Sequence, residues 1–178
     1  MTLRNMKVLF KPFQILYVIY AMILFLIMML MVVPFVLVAS FFGKIKGGNA
    51  VMRIVHWWAD AWLFLIGISH IRIVEQEIRA HQPYIFVSNH NSYMDIPQML
   101  KAIRQPLRIL GKAEMGKIPV FGIIYNAAVV PVLRGSAENR AKSVKTLRSV
   151  LSHEISIYIA PEGTFNMTDK PLIDFYDG

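Results

Sequence analysis

The sequence predicts an α/β domain, a mixed but largely parallel sheet flanked by helices, preceded by an N-terminal helical membrane anchor. Two observations carry this. Apolar residues make up 56% of the 178 residues and charged residues only 17%, against roughly 25% charged in an average globular chain, and the apolar excess is crowded into the N-terminal part. Beyond Arg72, short runs rich in β-branched and aromatic residues alternate with helix-like segments, the order that builds parallel sheets. The chain therefore divides into membrane-anchoring helices over 1–70 and an α/β domain over 71–178.

The anchor comes first. No charged residue occurs from Pro12 to Gly43. A bilayer core of about 30 Å needs about 20 helical residues, so the run is long enough to span, and it exceeds the roughly 7–15-residue core of a secretory leader. Pro34 lies inside it and is expected to kink or split the helix, because it lacks a donor and crowds the preceding turn. A second apolar stretch, Arg53 to Arg72, is of another kind, since it holds Trp57, Trp58 and Trp62 together with His56 and Asp60. Tryptophan favours membrane interfaces, and an Asp inside the bilayer costs about 2.5–3.5 kcal/mol. This stretch is expected to lie in the interface, or dip into it, rather than cross. Arg4, Lys7 and Lys11 precede the first run and Lys44 and Lys46 follow it, so the charge bias is silent on the number of spans. A hairpin entering one leaflet keeps all of them on the cytoplasmic side.

The α/β part follows. Ile71–Glu75 and Tyr84–Ser88 read as strands, Asp95 to about Ile103 as a helix, Arg108–Gly111 as a strand, and Ile118–Asn126 as a short helix despite Pro119. Val129–Leu133 reads as a strand whose Pro131, lacking an N–H, belongs at an edge or a bulge. From Ala137 to about Leu151 a helix is expected: Ser136 can cap it, Glu138 suits its positive end, and Ala141, Val144, Leu147 and Leu151 share a face. Ile155–Ala160 reads as a further strand. There is no internal repeat and no low-complexity linker.

The net charge of +8 favours anionic partners, and beside a membrane anchor this means anionic lipid or phosphorylated substrates rather than nucleic acid. The chain has no cysteine, which excludes disulfides, thiolate zinc sites and a cysteine nucleophile. Ser88-Asn89-His90-Asn91-Ser92-Tyr93-Met94-Asp95 runs from a strand into a helix. In one reading the loop folds back, Asp95 accepts a hydrogen bond from one nitrogen of His90, and the other nitrogen is a base for an incoming hydroxyl. In the other, Asp95 caps the helix and His90 is a loop residue. The remaining histidines, His56, His70, His81 and His153, form no ligand-spaced set, so no metal is expected. Arg134 follows one strand, and Ala160-Pro161-Glu162-Gly163-Thr164 ends another, where ligands of α/β sheets gather. Lys112-Ala113-Glu114-Met115 and Ile118-Pro119-Val120-Phe121-Gly122 lie between. Taken singly, each of these also reads as a surface ion pair, a turn or solvated charges.

Taken together, Asn89-His90 with Asp95, then Arg134, then Pro161-Glu162-Gly163-Thr164 resemble the successive motifs of the glycerolipid acyltransferase superfamily, and within it the bacterial lysophosphatidate acyltransferases. Lys112, Glu114, Pro119 and Gly122 match the intervening lysine/glutamate–proline–glycine pattern, and the resemblance covers about Ile71 to the C-terminus. It implies transfer of an acyl group from acyl-CoA or acyl-carrier protein to the sn-2 hydroxyl of 1-acylglycerol-3-phosphate, giving phosphatidic acid. It implies a bacterial inner-membrane enzyme with its catalytic domain facing the cytoplasm, whose partners are a lysophospholipid acceptor, the thioester donor and membrane lipid, with no cofactor. His90 and Asp95 would form the catalytic dyad, and no acyl-enzyme is expected without a protein nucleophile. Asn89, Lys112, Glu114, Arg134, Glu162, Gly163 and Thr164 would bind the acceptor. Arg134 would pair with the phosphate, Glu162 would orient Arg134 or Lys112, and the Gly163 and Thr164 amides would face the ligand.

The sequence departs from the family pattern in three places. Ala127-Ala128 stand where the family carries glycine. Phe165 stands where it carries arginine, which removes a phosphate contact and leaves another lysolipid open as acceptor. The chain stops at Gly178 where the family continues, so a C-terminally truncated sequence is expected. From another function class, the alternative is a non-catalytic membrane-binding fragment whose Arg140, Lys142, Lys145 and Arg148 attract anionic lipid.

Overall fold

Uninterrupted by charge, the N-terminal run forms one helix, α1 (Leu3–Ser40), in a computed structural model that describes residues 3–76, 78–79, 82–132 and 137–175. Among the described residues, Phe10–Ser40 is the one helix long and apolar enough to cross a membrane. It continues through Pro34 without splitting; one missing main-chain bond leaves the turns on either side intact.

A π-helical turn, Gly43–Gly47, reverses the chain into α2 (Gly48–Leu65), which runs back along α1. Three polar side chains fasten the far end of this hairpin: Trp62 Nε1 donates to Ala21 O (3.0 Å), Tyr17 to Ile66 O (2.8 Å) and Tyr20 to Leu65 O (2.9 Å). Phe25 meets Trp58 and Trp62 edge-on at 4.9 and 5.4 Å, the quadrupole-favoured arrangement. Two of the three tryptophans thus pack inside the hairpin, and only Trp57 is strongly exposed. Asp60 is paired rather than left as a lone charge. Arg104 grips it through both terminal guanidinium nitrogens, at 2.6 and 2.8 Å, which ties α2 to the α/β part.

The α/β part contributes β1 (Ile85–Val87), α3 (Asp95–Ala102), β2 (Leu107–Lys112), α4 (Phe121–Ala128), β3 (Val129–Val132), α5 (Ala137–Leu151) and β4 (Ser156–Ile159). The strands form one sheet in the order β1-β4-β2-β3, and every pairing is parallel. Pro131 lies on β3, an edge strand, where its missing N–H is harmless. The expected strand at Ile71–Glu75 does not form: the chain there is irregular, with Ile71 84% and Ile73 86% exposed. β-Branched residues favour extended backbone, but a strand requires a ladder partner, and among the described residues this segment has none.

Side-chain alternation sorts the sheet into two faces. Leu107, Ile109, Val129 and Tyr158 point into a core shared with Val36 and Ala39 of α1, Val51, Met52, Val55 and Ala59 of α2, and Met99 and Leu100 of α3. Leu110, Val130, Ile157 and Ile159 point the other way, against Leu147, Val150 and Leu151 of α5. The helical hairpin is therefore one of the layers that bury the sheet. Buried Arg108 adds a polar tie, donating from β2 to Lys44 O and Ile45 O at 3.1 Å each and to Leu107 O at 2.8 Å. Burial lowers its pKa to about 10. A β-carbon at Gly48 would overlap this guanidinium, so glycine there leaves room for Arg108 to reach the turn between α1 and α2.

Candidate active site

Four parallel strands deliver their C-terminal ends to one edge of the sheet, where ligands of α/β folds gather. The segment after β1 carries His90, β2 ends in Lys112 with Glu114 just after it, and the segment after β4 carries Glu162. At the start of α3 the chain folds back on itself. His90 Nδ1 lies 2.9 Å from Asp95 Oδ2, and the same oxygen accepts the main-chain N–H groups of Asn91 (3.0 Å) and Ser92 (2.9 Å). The carboxylate thus faces the loop before the helix rather than capping the turn after it. An ionised carboxylate only accepts, so Nδ1 carries the proton and Nε2 is left with a lone pair. Both side chains are partly open, 25% and 21% exposed. Met94, next to Asp95, packs among Trp62, Leu63 and Ile66, so the helical hairpin helps set the position of this loop.

The segment after β4 clamps His90 by its main chain. Glu162 Oε2 accepts the His90 N–H at 3.0 Å, and the Asn166 N–H donates to His90 O at 2.8 Å. Between these two anchors, Phe165 lays its ring against the imidazole, with centroids 4.5 Å apart, and meets Tyr93 on its other side at 4.7 Å. Glu162 is fully buried, and its second oxygen accepts the Ile173 N–H at 3.2 Å. Among the described residues the Glu162 carboxylate is held by these two main-chain amides and makes no contact with Lys112; Arg134, the other cation it was expected to orient, lies outside the described residues, as does Ser136. The Gly163 N–H, expected to face a ligand, closes a turn onto Ala160 O at 3.0 Å. Thr164 is half-buried beside it.

The other expected site residues lie further out. Asn89 donates to Pro171 O at 3.3 Å. Lys112 and Glu114 are exposed at the end of β2 and in the 3₁₀ turn Ala113–Lys117. They share the sheet edge with His90 and make no contact with it among the described residues. Gly122 has a steric reason: a β-carbon there would overlap the Gly116 carbonyl. Between Pro119 and Phe121 the chain makes a strained γ-turn. Phe121 N donates to Pro119 O at 2.7 Å, and Val120 sits at φ +63°.

Behind the dyad, a cleft of about 260 Å³ is lined by His70, Ser88, Asn89, Asp95, Gln98 and Tyr158. The Ser88 and Tyr158 hydroxyls bond across it at 2.5 Å, and burial pushes the Tyr158 pKa up. Sequence reasoning did not single out Phe165 as a contact of the histidine, nor Asn166, Met94 or Tyr158. For Phe165 the signal was present as an aromatic in an arginine position. For the others, which are ordinary residues made important by position, there was none.

The family model described as Acyltransferase matches residues 70–178. The 1-acyl-sn-glycerol-3-phosphate acyltransferase of Salmonella typhimurium is 32% identical over 98 residues, 53% of this chain and 39% of that protein. The lyso-ornithine lipid O-acyltransferase of Pseudomonas aeruginosa is 34% identical over 113 residues, 63% of this chain and 42% of that protein. A chloroplastic 1-acyl-sn-glycerol-3-phosphate acyltransferase of Brassica napus is 27% identical over 108 residues, 60% of this chain and 31% of that protein. The chain thus spans less than half the length of each of these relatives. Among solved structures, the 1-acyl-sn-glycerophosphate (LPA) acyltransferase PlsC from Thermotoga maritima superposes with a TM-score of 0.60 at 24% identity, over 86% of this chain and 64% of that one. That likeness speaks for the fold.

Proposed function

Because the chain belongs to the glycerolipid acyltransferase superfamily, we propose that it moves a fatty acyl group from a thioester donor, acyl-CoA or acyl-carrier protein, to the sn-2 hydroxyl of 1-acylglycerol-3-phosphate, giving phosphatidic acid. The observation that carries this reading is the 2.9 Å contact between His90 Nδ1 and Asp95 Oδ2 at the ligand-binding edge of the sheet.

Asp95 holds the imidazole in the tautomer whose Nε2 accepts a proton. Nε2 takes the proton of the acceptor hydroxyl as its oxygen attacks the thioester carbonyl. The carbon–sulfur bond then breaks, and the thiolate recovers the proton from the imidazolium. No protein nucleophile takes part, so transfer is direct. Glu162 and Asn166 serve the step indirectly, by fixing the main chain of His90. Arg134 is proposed from the motif resemblance alone to pair with the acceptor phosphate, through a fork of donors that lysine cannot reproduce. α1 holds the enzyme at the membrane that contains one of its substrates, with the catalytic part on the cytoplasmic side. Cysteines placed singly at Lys46 and Lys142 should both resist a membrane-impermeant reagent applied from outside. Labelling of Lys142→Cys would reverse the orientation.

A second acceptor reading has a specific observation in its favour. Phe165 lies against His90 where related motifs carry arginine, and one relative is named for a lyso-ornithine lipid. One experiment separates the readings. The full chain in phospholipid–detergent micelles is given acyl-CoA and, in turn, 1-acylglycerol-3-phosphate and lyso-ornithine lipid. Acylation of the first, lost in His90→Ala, supports the main reading, and preference for the second moves the assignment there. Vesicle binding that survives His90→Ala, with no acylation of either, leaves only a membrane-binding protein.

A further inference from the structure

A base strong enough to deprotonate a lipid hydroxyl also deprotonates water. If water reaches Nε2 while the thioester is bound, its oxygen bonds to the carbonyl carbon and the carbon–sulfur bond breaks. Free fatty acid and thiol then leave, and the donor is wasted. The site must therefore favour one dilute hydroxyl over bulk solvent, and shaped exclusion of water is the physical means.

We propose that Phe165, extended by Tyr93, is the specificity-determining wall that makes this site choose a lipid hydroxyl over water. The inference rests on the acyl-transfer reading above. Three features carry it. The Phe165 ring packs against the His90 imidazole in a tilted contact, centroids 4.5 Å apart at 51°, and Tyr93 packs against Phe165 in turn at 4.7 Å. The wall is anchored to the base it shields, because the residue after Phe165 donates to His90 O and Glu162, three residues before it, accepts from His90 N. Asn166 is itself buried, and it accepts from the Thr168 N–H and hydroxyl and donates to Lys170 O. These bonds fix the main chain that carries Phe165 relative to that of His90.

The outer end of the wall is open. Tyr93 is 88% exposed, as is Met167 just beyond Asn166. The surface next to the imidazole thus carries large uncharged side chains. It suits the glycerol–acyl segment of a lysolipid, whichever headgroup follows. A seated lipid covers this surface and completes the exclusion of water, whereas an arginine at the same position would carry its own hydration next to the base.

The test measures partition rather than rate. The full chain in phospholipid–detergent micelles receives acyl-CoA with and without 1-acylglycerol-3-phosphate; thiol release is followed with a chromogenic thiol reagent and acylated lipid by mass spectrometry. In wild type, thiol release should depend on the acceptor. Phe165→Ala should raise thiol released per lipid acylated by about tenfold, and Phe165→Tyr, which keeps the ring, should restore the low ratio. Tyr93→Ala, an exposed change that leaves the clamp intact, should raise the ratio in the same direction, and it keeps the test decisive should Phe165→Ala fail to fold. Transfer that proceeds in Tyr93→Ala and in any folded Phe165→Ala with the wild-type ratio overturns the wall. A wild type that releases thiol without acylating any lysolipid overturns the transfer reading, and the wall with it.

Discussion

Glu162→Gln distinguishes a structural carboxylate from a ligand-binding one. Glu162 is fully buried, with His90 N 3.0 Å from Oε2 and Ile173 N 3.2 Å from Oε1. A carboxylate accepts at both oxygens, whereas glutamine accepts at one and donates from the other, so one main-chain N–H must face an NH₂ group with no water to replace the lost acceptor. Leaving a buried donor unsatisfied costs about 1–3 kcal/mol, and losing charge assistance on the surviving bond adds about 1 more. For a chain of this size each kcal/mol moves Tm by roughly 2–4 °C, so Tm should fall by about 4–16 °C. His90 is also held through its carbonyl by Asn166, at 2.8 Å, so kcat should fall by less than about tenfold and the acceptor KM should stay within about twofold. Thermal unfolding of the detergent-solubilised protein and acceptor-dependence kinetics measure both. The role suggested by sequence, orienting a phosphate-binding cation, requires the opposite pattern. An unchanged Tm with a raised acceptor KM refutes the structural assignment.

Other substitutions probe other parts. His90→Ala and Asp95→Asn should each lower kcat by about 10²–10⁴-fold with circular dichroism unchanged, and turnover within a few-fold of wild type would remove the dyad from the mechanism. Val120, a β-branched residue at φ +63°, carries strain of about 1–3 kcal/mol against a glycine entropy cost of about 0.5–1. Val120→Gly should therefore raise Tm, and a lower Tm would show that packing of the valine outweighs the strain. Burial, and then the charge of Glu114, push the Tyr125 pKa up to about 12 from an ordinary 10.0. The unfolded chain ionises Tyr125 first, so the stability it lends is complete below pH 10 and is lost as pH rises toward 12. Tyr125→Phe should lose less stability than wild type across that window; equal losses in chemical denaturation would contradict the assignment.

What the sequence disclosed was mostly local. Pro131 marked an edge strand because a missing N–H is a property of the residue itself. The helix from Ala137 to Leu151 was legible, but of the four spaced apolar residues only Leu147 and Leu151 pack, beside Val150, while Ala141 and Val144 are exposed. His90 and Asp95 meet because the loop is short enough to fold back, and five positions of spacing already allowed it. Long-range facts were not legible. Ile71–Glu75 has strand-forming residues, but whether a ladder partner reaches it depends on chain far away. Glu162 looks like a ligand-binding acid because sequence reports charge, while burial against the His90 and Ile173 amides is a product of the fold. Trp58 and Trp62 suggested a membrane interface, and their actual neighbour, Phe25, sits on another helix more than thirty positions earlier.

With α1 read as a membrane span, the core that Val36, Ala39, Val51, Met52 and Val55 share with Leu107, Ile109 and Tyr158 would give bilayer thickness a mechanical route to the proposed chemistry. Of the segment Phe10–Ser40, the residues before the sheet contacts at Val36 and Ala39 are about 39 Å long at about 1.5 Å per residue, against a hydrocarbon core of about 30 Å. A helix with that surplus leans, and it leans further as the bilayer thins. A flexible tether would absorb the rotation. Here the last turns of α1 are cemented to the sheet, so the sheet rotates with them, and the attitude of the His90 edge to the membrane plane becomes a function of lipid chain length. Under the proposed function, the enzyme would then feel, through its own tilt, the thickness of the membrane that holds its acceptor.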